Sequence, residues 1–159
     1  MAKIVKGQHV PNAGTNYANS SLDKFVGNWI WVSKTDTVWL NTKKENVKLP
    51  AGQDLTADIL IGYFKQARGK TLVRDSFKAL NQKYSGKNTH FVAGMNQTAE
   101  KIDGSLTDSE ANRNYKIELK LNRDQTALEV SIVKPEEGLR IGKATNSSLP
   151  KKMIFTKVK

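Results

Sequence analysis

The stretch that decides the fold is Tyr115-Lys116-Ile117-Glu118-Leu119-Lys120-Leu121, in which apolar and charged residues alternate without a break. Successive side chains of a β-strand leave opposite faces, so this period of two predicts a strand with one buried and one solvated face. Turn-forming residues follow at 122–125, and residues 127–133 alternate in the same way. Together the two segments predict an antiparallel hairpin.

Similar short runs, rich in β-branched and aromatic residues, occur along the rest of the chain between turn-forming residues. They span residues 25–32, 37–42, 58–64, 71–77, 89–93, 99–106 and 153–158. Residues 76–83 are the one stretch that could form two turns of helix. The pattern predicts an all-β fold, an antiparallel barrel or half-barrel of about eight strands. We favour it over a sandwich because closure leaves no exposed edge strand.

The length of 159 residues fits one domain. Residues 1–21 lack apolar periodicity and predict an irregular N-terminal arm, followed by a single β-barrel domain over residues 22–159. No apolar run approaches the length of a membrane-spanning helix, and the first residues lack the apolar region of a signal peptide. An exported protein expressed without its leader would look the same, and otherwise we expect a cytoplasmic location.

The composition argues against most catalytic chemistry. The chain has no cysteine, which excludes disulfides and thiolate sites, and its two histidines, His9 and His90, are far apart in sequence. The acidic pair Glu136-Glu137 adjoins Pro135 and predicts a solvated turn. No catalytic motif is present, so we expect a protein that is not an enzyme and that needs no metal and no cofactor.

The segment Phe25-Val26-Gly27-Asn28-Trp29 resembles the start of the first strand in the lipocalin and calycin superfamily. With residues 58–64 (Asp-Ile-Leu-Ile-Gly-Tyr-Phe), it is similar to a group of small lipocalin-like proteins of unknown function, mostly exported, in Bacteroidota. The resemblance implies a barrel in which Gly27 permits a tight bend and Trp29 plugs the closed end. Arg140 would stand for the closing arginine of lipocalins, while their Thr-Asp-Tyr signature does not occur.

Aromatic residues are the main functional candidates. Trp31 and Trp39 fall in the first predicted hairpin and could be cross-strand neighbours if the turn lies near residues 33–36. With Tyr63 and Tyr115 they could form the wall of a site for a small apolar ligand. The alternative is an ordinary aromatic core. We expect a non-catalytic binding or interaction protein whose partner is a small apolar ligand or another protein.

The charge suggests a second hypothesis. The chain carries 26 Lys and Arg against 15 Asp and Glu, a formal net charge of +11. Such a surface attracts nucleic acid or other polyanions, and Lys43, Lys44 and Lys48 close to the aromatic hairpin could form the platform. However, the cations are spread along the whole chain, which is typical of a solubilising coat. Both interpretations stay open at this point.

Overall fold

The structure is a computed structural model that describes residues 12–50, 54–85, 91–95, 100–136 and 149–159, with only the backbone of Met95. His9, His90, Arg140 and the first eleven residues of the predicted arm lie outside the described residues. Within these ranges the chain forms ten strands and two short 3-10 helices. The strands are β1 Asn16–Tyr17, β2 Gly27–Val32, β3 Asp36–Lys48, β4 Thr56–Arg68, β5 Thr71–Asp75, β6 Phe91–Met95, β7 Lys101–Asp108, β8 Arg113–Leu121, β9 Ala127–Pro135 and β10 Lys152–Val158.

Eight of the strands close into an antiparallel barrel. Their order around the barrel is β4-β3-β2-β10-β9-β8-β7-β6, and pairing of β6 with β4 completes the circle. The two remaining strands extend the free edge of β4: β1 pairs with its start in parallel, and β5 pairs with its end in an antiparallel hairpin. The predicted all-β barrel of about eight strands is therefore confirmed.

Strands β3 and β4 are longer than the runs at 37–42 and 58–64 that the sequence pattern predicts. Residues 43–48 are rich in Lys, Glu and Asn, which have low strand propensity, yet β3 continues to Lys48. In the observed register Lys43 faces Ile61, Lys44 faces Leu60 and Glu45 faces Ile59 on β4. Pairing with this apolar segment holds the polar residues in the sheet, so tertiary context overrides local preference.

The barrel interior is filled by apolar side chains from all eight strands. Phe64 packs edge-on against Phe91 at 5.8 Å between ring centroids and lies 6.4 Å from Phe155, and all three are buried. A Cβ at Gly62 would collide with the Phe91 ring, so the glycine is what lets β6 close onto β4. This aromatic cluster occupies the middle of the barrel.

The two ends of the barrel differ. The first 3-10 helix, Ser20–Phe25, begins at Asn19, whose side chain accepts a hydrogen bond from Ser21, and it inserts Leu22 and Phe25 into the core with no exposed surface. We call the end that this helix covers the helix end. The opposite end, where the β2–β3, β4–β5 and β7–β8 turns lie, is called the distal end.

The second 3-10 helix, Phe77–Ala79, replaces the two helical turns expected over residues 76–83. It packs on the outer face of β4, where Ile59, Ile61, Tyr63 and Ala79 form a separate small apolar cluster. Part of the predicted arm also has regular structure, since β1 lies against β4. Among the described residues, no helix has the length and apolar character needed to cross a membrane.

Candidate binding site at the distal end

Four inward-facing side chains form one row across the inner wall near the distal end. Trp31 on β2 pairs with Val38 on β3, Val38 with Gln66 on β4, and Gln66 with Arg74 on β5. Because these residues are direct neighbours across successive strands, their side chains lie side by side on the same face. We call this row the distal rung. It joins an indole, an aliphatic, an amide and a guanidinium group.

The side-chain amide of Gln66 is buried, and only its nitrogen forms a hydrogen bond with the described residues. Gln66 is 1% exposed, and its Nε2 donates to Oδ2 of Asp36 at 3.4 Å. Asp36 is itself fixed because its Oδ1 accepts from Nε of Arg68 at 3.0 Å. The Oε1 atom of Gln66 has no hydrogen-bond partner among the described residues. An unpaired buried acceptor of this kind typically costs about 1–3 kcal/mol, so its presence needs an explanation.

Arg74 joins the distal rung to the end of β7 and the β7–β8 turn. Its Nη2 lies 3.0 Å from Oε2 of Glu110 and 3.4 Å from Oδ1 of Asp108, which is completely buried. Asp108 also accepts from the backbone N–H of Ala111 at 3.2 Å, which fixes the β7–β8 turn. A buried ion pair needs such additional hydrogen bonds to offset its desolvation. The Arg74–Asp108 pair therefore connects β5 with β7 at the distal end.

Beneath the distal rung the barrel is apolar. The hydroxyl of Ser76 accepts from the backbone N–H of Phe64 at 2.9 Å and donates to the Phe64 carbonyl at 3.2 Å. These bonds hold Phe64 next to Phe91 and Phe155. The aromatic cluster thus forms an apolar layer below the distal rung.

The four predicted aromatic residues do not form one wall. Trp31, half-buried, and Tyr115, 4% exposed, pack with the main core inside the barrel. Trp39 and Tyr63 lie on the outer face, with Nζ of Lys65 5.9 Å from the Trp39 ring centroid and Nζ of Lys43 5.2 Å from that of Tyr63. Their place on the opposite face separates them from Trp31 and Tyr115.

The expected cross-strand pairing of Trp31 with Trp39 is wrong by one residue. Trp39 faces Ile30, and Trp31 faces Val38. The reason is the turn: Val32 pairs with Thr37, and the backbone N–H of Ser33 bonds to the carbonyl of Asp36 at 2.8 Å. This register places the two tryptophans on opposite faces of the hairpin.

Gly27 and Trp29 lie at the helix end. Trp29 is 1% exposed, and its Nε1 donates to Oγ1 of Thr42 at 3.0 Å. That hydroxyl in turn donates to the carbonyl of Phe25 at 2.6 Å. A Cβ at Gly27 would come within 3.2 Å of Cε of Lys157, whose Nζ lies 5.2 Å from the Trp29 ring centroid. The arrangement leaves the polar atom of the plugging tryptophan satisfied.

The three lysines of the polyanion hypothesis are each engaged with an acid. Lys43 pairs with Glu45 at 3.4 Å and donates to the backbone carbonyls of Leu80 and Gln82. Lys48 pairs with Asp54 on the surface, and this contact lowers the pKa of Asp54.

Lys44 pairs with Asp23 and lies 3.7 Å from Asp58. The hydrogen bond from Lys44 to Asp23 raises the pKa of Lys44. With all three lysines paired, this part of the surface presents little uncompensated charge to a polyanion.

Sequence reasoning missed Gln66, Arg74 and Asp108, the polar residues that the structure brings together inside the distal end. The available signal was the alternation of side chains along β4. Leu60, Phe64 and Gln66 are an even number of residues apart, so they share the inner face of the strand. The described residues contain no group of three or more His, Cys, Asp or Glu side chains placed to hold a metal ion.

A protein-family model covers nearly the whole chain. No curated protein matches it, and no solved structure does. A family model described as "Family of unknown function (DUF6705)" matches residues 1–158. The chain, with its closed eight-stranded barrel, therefore belongs to the family of unknown function DUF6705.

Proposed function

We propose that this chain is a non-catalytic binding protein of lipocalin-like build, which holds a small ligand at the distal rung. The ligand has a mainly apolar body and one hydrogen-bond donor. The observation that carries the proposal is the buried Oε1 atom of Gln66, which has no hydrogen-bond partner on the inner wall of the barrel. Ligand sites commonly combine apolar walls with a few placed polar groups of this kind.

The amide of Gln66 specifies the polar group of the ligand. Its Nε2 is committed to Asp36, so the free atom is an acceptor. A hydroxyl or N–H group would satisfy it, whereas an ether or ester oxygen would not. The site should therefore distinguish an alcohol from its methyl ether.

The neighbours of Gln66 favour an apolar body. Val38 lies beside it on one side with Trp31 beyond, and Phe64 lies deeper in the same strand. Arg74, its neighbour on the other side, is paired with Asp108 and Glu110. Since Phe64, Phe91 and Phe155 fill the middle of the barrel, we expect the ligand to stay near the distal end and not to run through the barrel.

The test is a titration of intrinsic tryptophan fluorescence with octanol and with octyl methyl ether. We expect the alcohol to bind about fivefold more tightly, the factor that a net hydrogen bond of about 1 kcal/mol provides. In the Gln66→Leu variant this preference should disappear. Equal affinity of the wild-type protein for both compounds, or no binding of either, would contradict the proposal.

Two tryptophan variants locate the signal. Trp31→Phe should remove the fluorescence change because Trp31 lies on the distal rung, and Trp39→Phe should retain it because Trp39 lies on the outer face. The reverse result would place the probe on the outside of the barrel and overturn the assignment of the site.

The expectations about catalytic activity, cellular location and nucleic-acid binding stay predictions. We expect no catalytic activity, and an exported location if the native chain carries a leader. Because Lys43, Lys44 and Lys48 are paired with acids, we expect DNA and RNA to bind weakly and to dissociate at about 0.15 M salt, where surface charges are strongly screened. Sub-micromolar affinity for an oligonucleotide at that salt concentration would favour the polyanion hypothesis instead.

A further inference from the structure

Exposed aliphatic side chains recur beside lysines at the distal end. Val32 is 63% exposed, Val133 60% and Leu72 53%, whereas aliphatic residues of this size are usually buried. Each lies within two residues of an exposed lysine. The pairs are Val32 with Lys34, Leu72 with Lys70, and Val133 with Lys134. We call these six residues the distal surface.

The lysines of the distal surface differ from Lys44 and Lys48, two lysines near the helix end. Lys44 and Lys48 have carboxylate partners. In contrast, Lys34, Lys70 and Lys134 form no ion pair with any residue of the described ranges. Their charge is therefore available to an external anion.

A cleft beside Val133 has the chemistry of a phosphate site. Lys134 on β9 directly faces Lys116 on β8, and like charges in this position repel each other unless an anion lies between them. The two lysines line a cleft of about 460 Å³ with Pro135 and Glu136. Oε2 of Glu136 accepts from the hydroxyl of Ser105 at 2.8 Å, which holds that carboxylate on the β7 side.

We infer that the distal surface docks reversibly on a lipid bilayer that contains anionic phospholipid. Aliphatic side chains would enter the interface, while the lysines would contact phosphate groups with their charged ends. The inference goes beyond the proposed function and does not depend on it.

A bilayer fits the pattern better than a protein partner. The three aliphatic residues lie on separate strands, β2, β5 and β9, and do not form one contiguous patch. A protein interface usually has a packed apolar centre, whereas a fluid lipid surface can receive separate side chains without matching their shape. Charge complementarity points to anionic headgroups.

The experiment is co-sedimentation with phosphatidylcholine vesicles, with and without phosphatidylglycerol, at about 0.15 M salt. We expect binding to the anionic vesicles and little binding to pure phosphatidylcholine. The double variant Lys34→Gln/Lys70→Gln should bind about thirtyfold more weakly, the factor for two lysines at about 1 kcal/mol each. Val32→Ser/Leu72→Ser should also weaken binding. Both pairs of sites are exposed, and circular dichroism would verify the fold.

Matched controls lie at the helix end. Val158 is a 45% exposed aliphatic residue there, and Lys120 and Lys159 are exposed lysines, so Val158→Ser and Lys120→Gln/Lys159→Gln should bind as the wild type does. Equal losses in the control and distal variants would indicate general attraction by net charge and overturn the inference. Absence of binding to anionic vesicles, or equal binding to both vesicle types, would also overturn it.

Discussion

The helix end and the distal end of the barrel differ in how their buried polar groups are hydrogen-bonded. Each end places a polar group in the barrel interior. At the helix end the Nε1 of Trp29 is satisfied by Thr42, whose hydroxyl donates onward to the carbonyl of Phe25. At the distal end Trp31 is half-buried, and no residue in the described part of the chain bonds to the Oε1 of Gln66.

The difference suggests a division of roles. At the helix end the Nε1 atom of Trp29 is paired, and Leu22, Phe25 and Trp29 are buried, which is what stability requires. The distal end keeps an unsatisfied acceptor and exposed aliphatic residues, features that stability alone does not favour. Substitutions at the helix end should therefore affect mainly the free energy of unfolding, and substitutions at the distal end mainly binding.

The largest expected effect is that of Trp29→Ala. Removal of a large, fully buried aromatic side chain should lower the free energy of unfolding by about 3–5 kcal/mol, measured by denaturant titration. Trp31→Ala is the matched control on the same face of the same strand, and its effect should be clearly smaller because Trp31 is half-buried. Similar losses for both variants would remove the distinction between the two ends.

The next effect is that of Thr42→Val, which keeps the shape of the side chain and removes its hydroxyl. The Nε1 of Trp29 and the carbonyl of Phe25 would lose a partner in the interior. We expect a loss of about 1–3 kcal/mol, the usual range for a buried polar group left unpaired. Thr37→Val is a suitable control, since Thr37 is half-buried and lies on the outer face of the same strand. No change for Thr42→Val would show that the network is dispensable.

Much of the fold could be predicted because local pattern and tertiary structure agree. The strand centred on Ile117 to Leu119 shows the period of two that one buried face requires, and the structure extends it only to Arg113. The first 3-10 helix could not be predicted. Its two apolar residues, Leu22 and Phe25, are three positions apart, but two positions are too few to establish a helical period. Both are buried because the barrel end lies beneath them.

The candidate site was harder to predict for a physical reason. Gln66, Arg74 and Asp108 lie on three different strands, and each is polar, a property that in a sequence suggests a solvated position. Their burial depends on pairing between β4 and β5 and on an ion pair that joins β5 to β7. Tyr63 illustrates the opposite case. It is buried as expected of an aromatic residue, but under the second 3-10 helix on the outer face.

A smaller effect, dependent on pH, should appear near the helix end at Asp58. Hydrogen bonds from the backbone N–H of Asn19 and the amide of Asn46, with the charge of Lys44, hold the pKa of Asp58 below its ordinary value of 3.8. Because the folded pKa is depressed, the ionised carboxylate stabilises the fold above the unfolded pKa. That contribution is lost as the pH falls through the folded pKa.

Asp58→Asn should therefore be less stable than the wild type near neutral pH, and the difference should shrink below about pH 4, near the pKa of an unfolded aspartate. Asp54→Asn is the control, because the Lys48–Asp54 pair is largely exposed and screened by solvent. Denaturant titrations at several pH values provide the measurement. A difference for Asp58→Asn that grows on acidification would contradict the assignment.

The smallest effect on stability should come from Gln66→Leu, although Gln66 is as buried as Trp29. The substitution removes a 3.4 Å hydrogen bond to Asp36, but it also removes the unpaired Oε1 atom. The two contributions have opposite signs and similar size, so we expect the free energy of unfolding to change by less than about 1 kcal/mol. Gln66→Ala would leave a cavity and should be less stable than Gln66→Leu.

A wild-type denaturation midpoint in Gln66→Leu, together with a lost preference for octanol over its methyl ether, would assign Gln66 to binding. A large loss of stability would instead assign it, like Thr42, to the structure of the barrel.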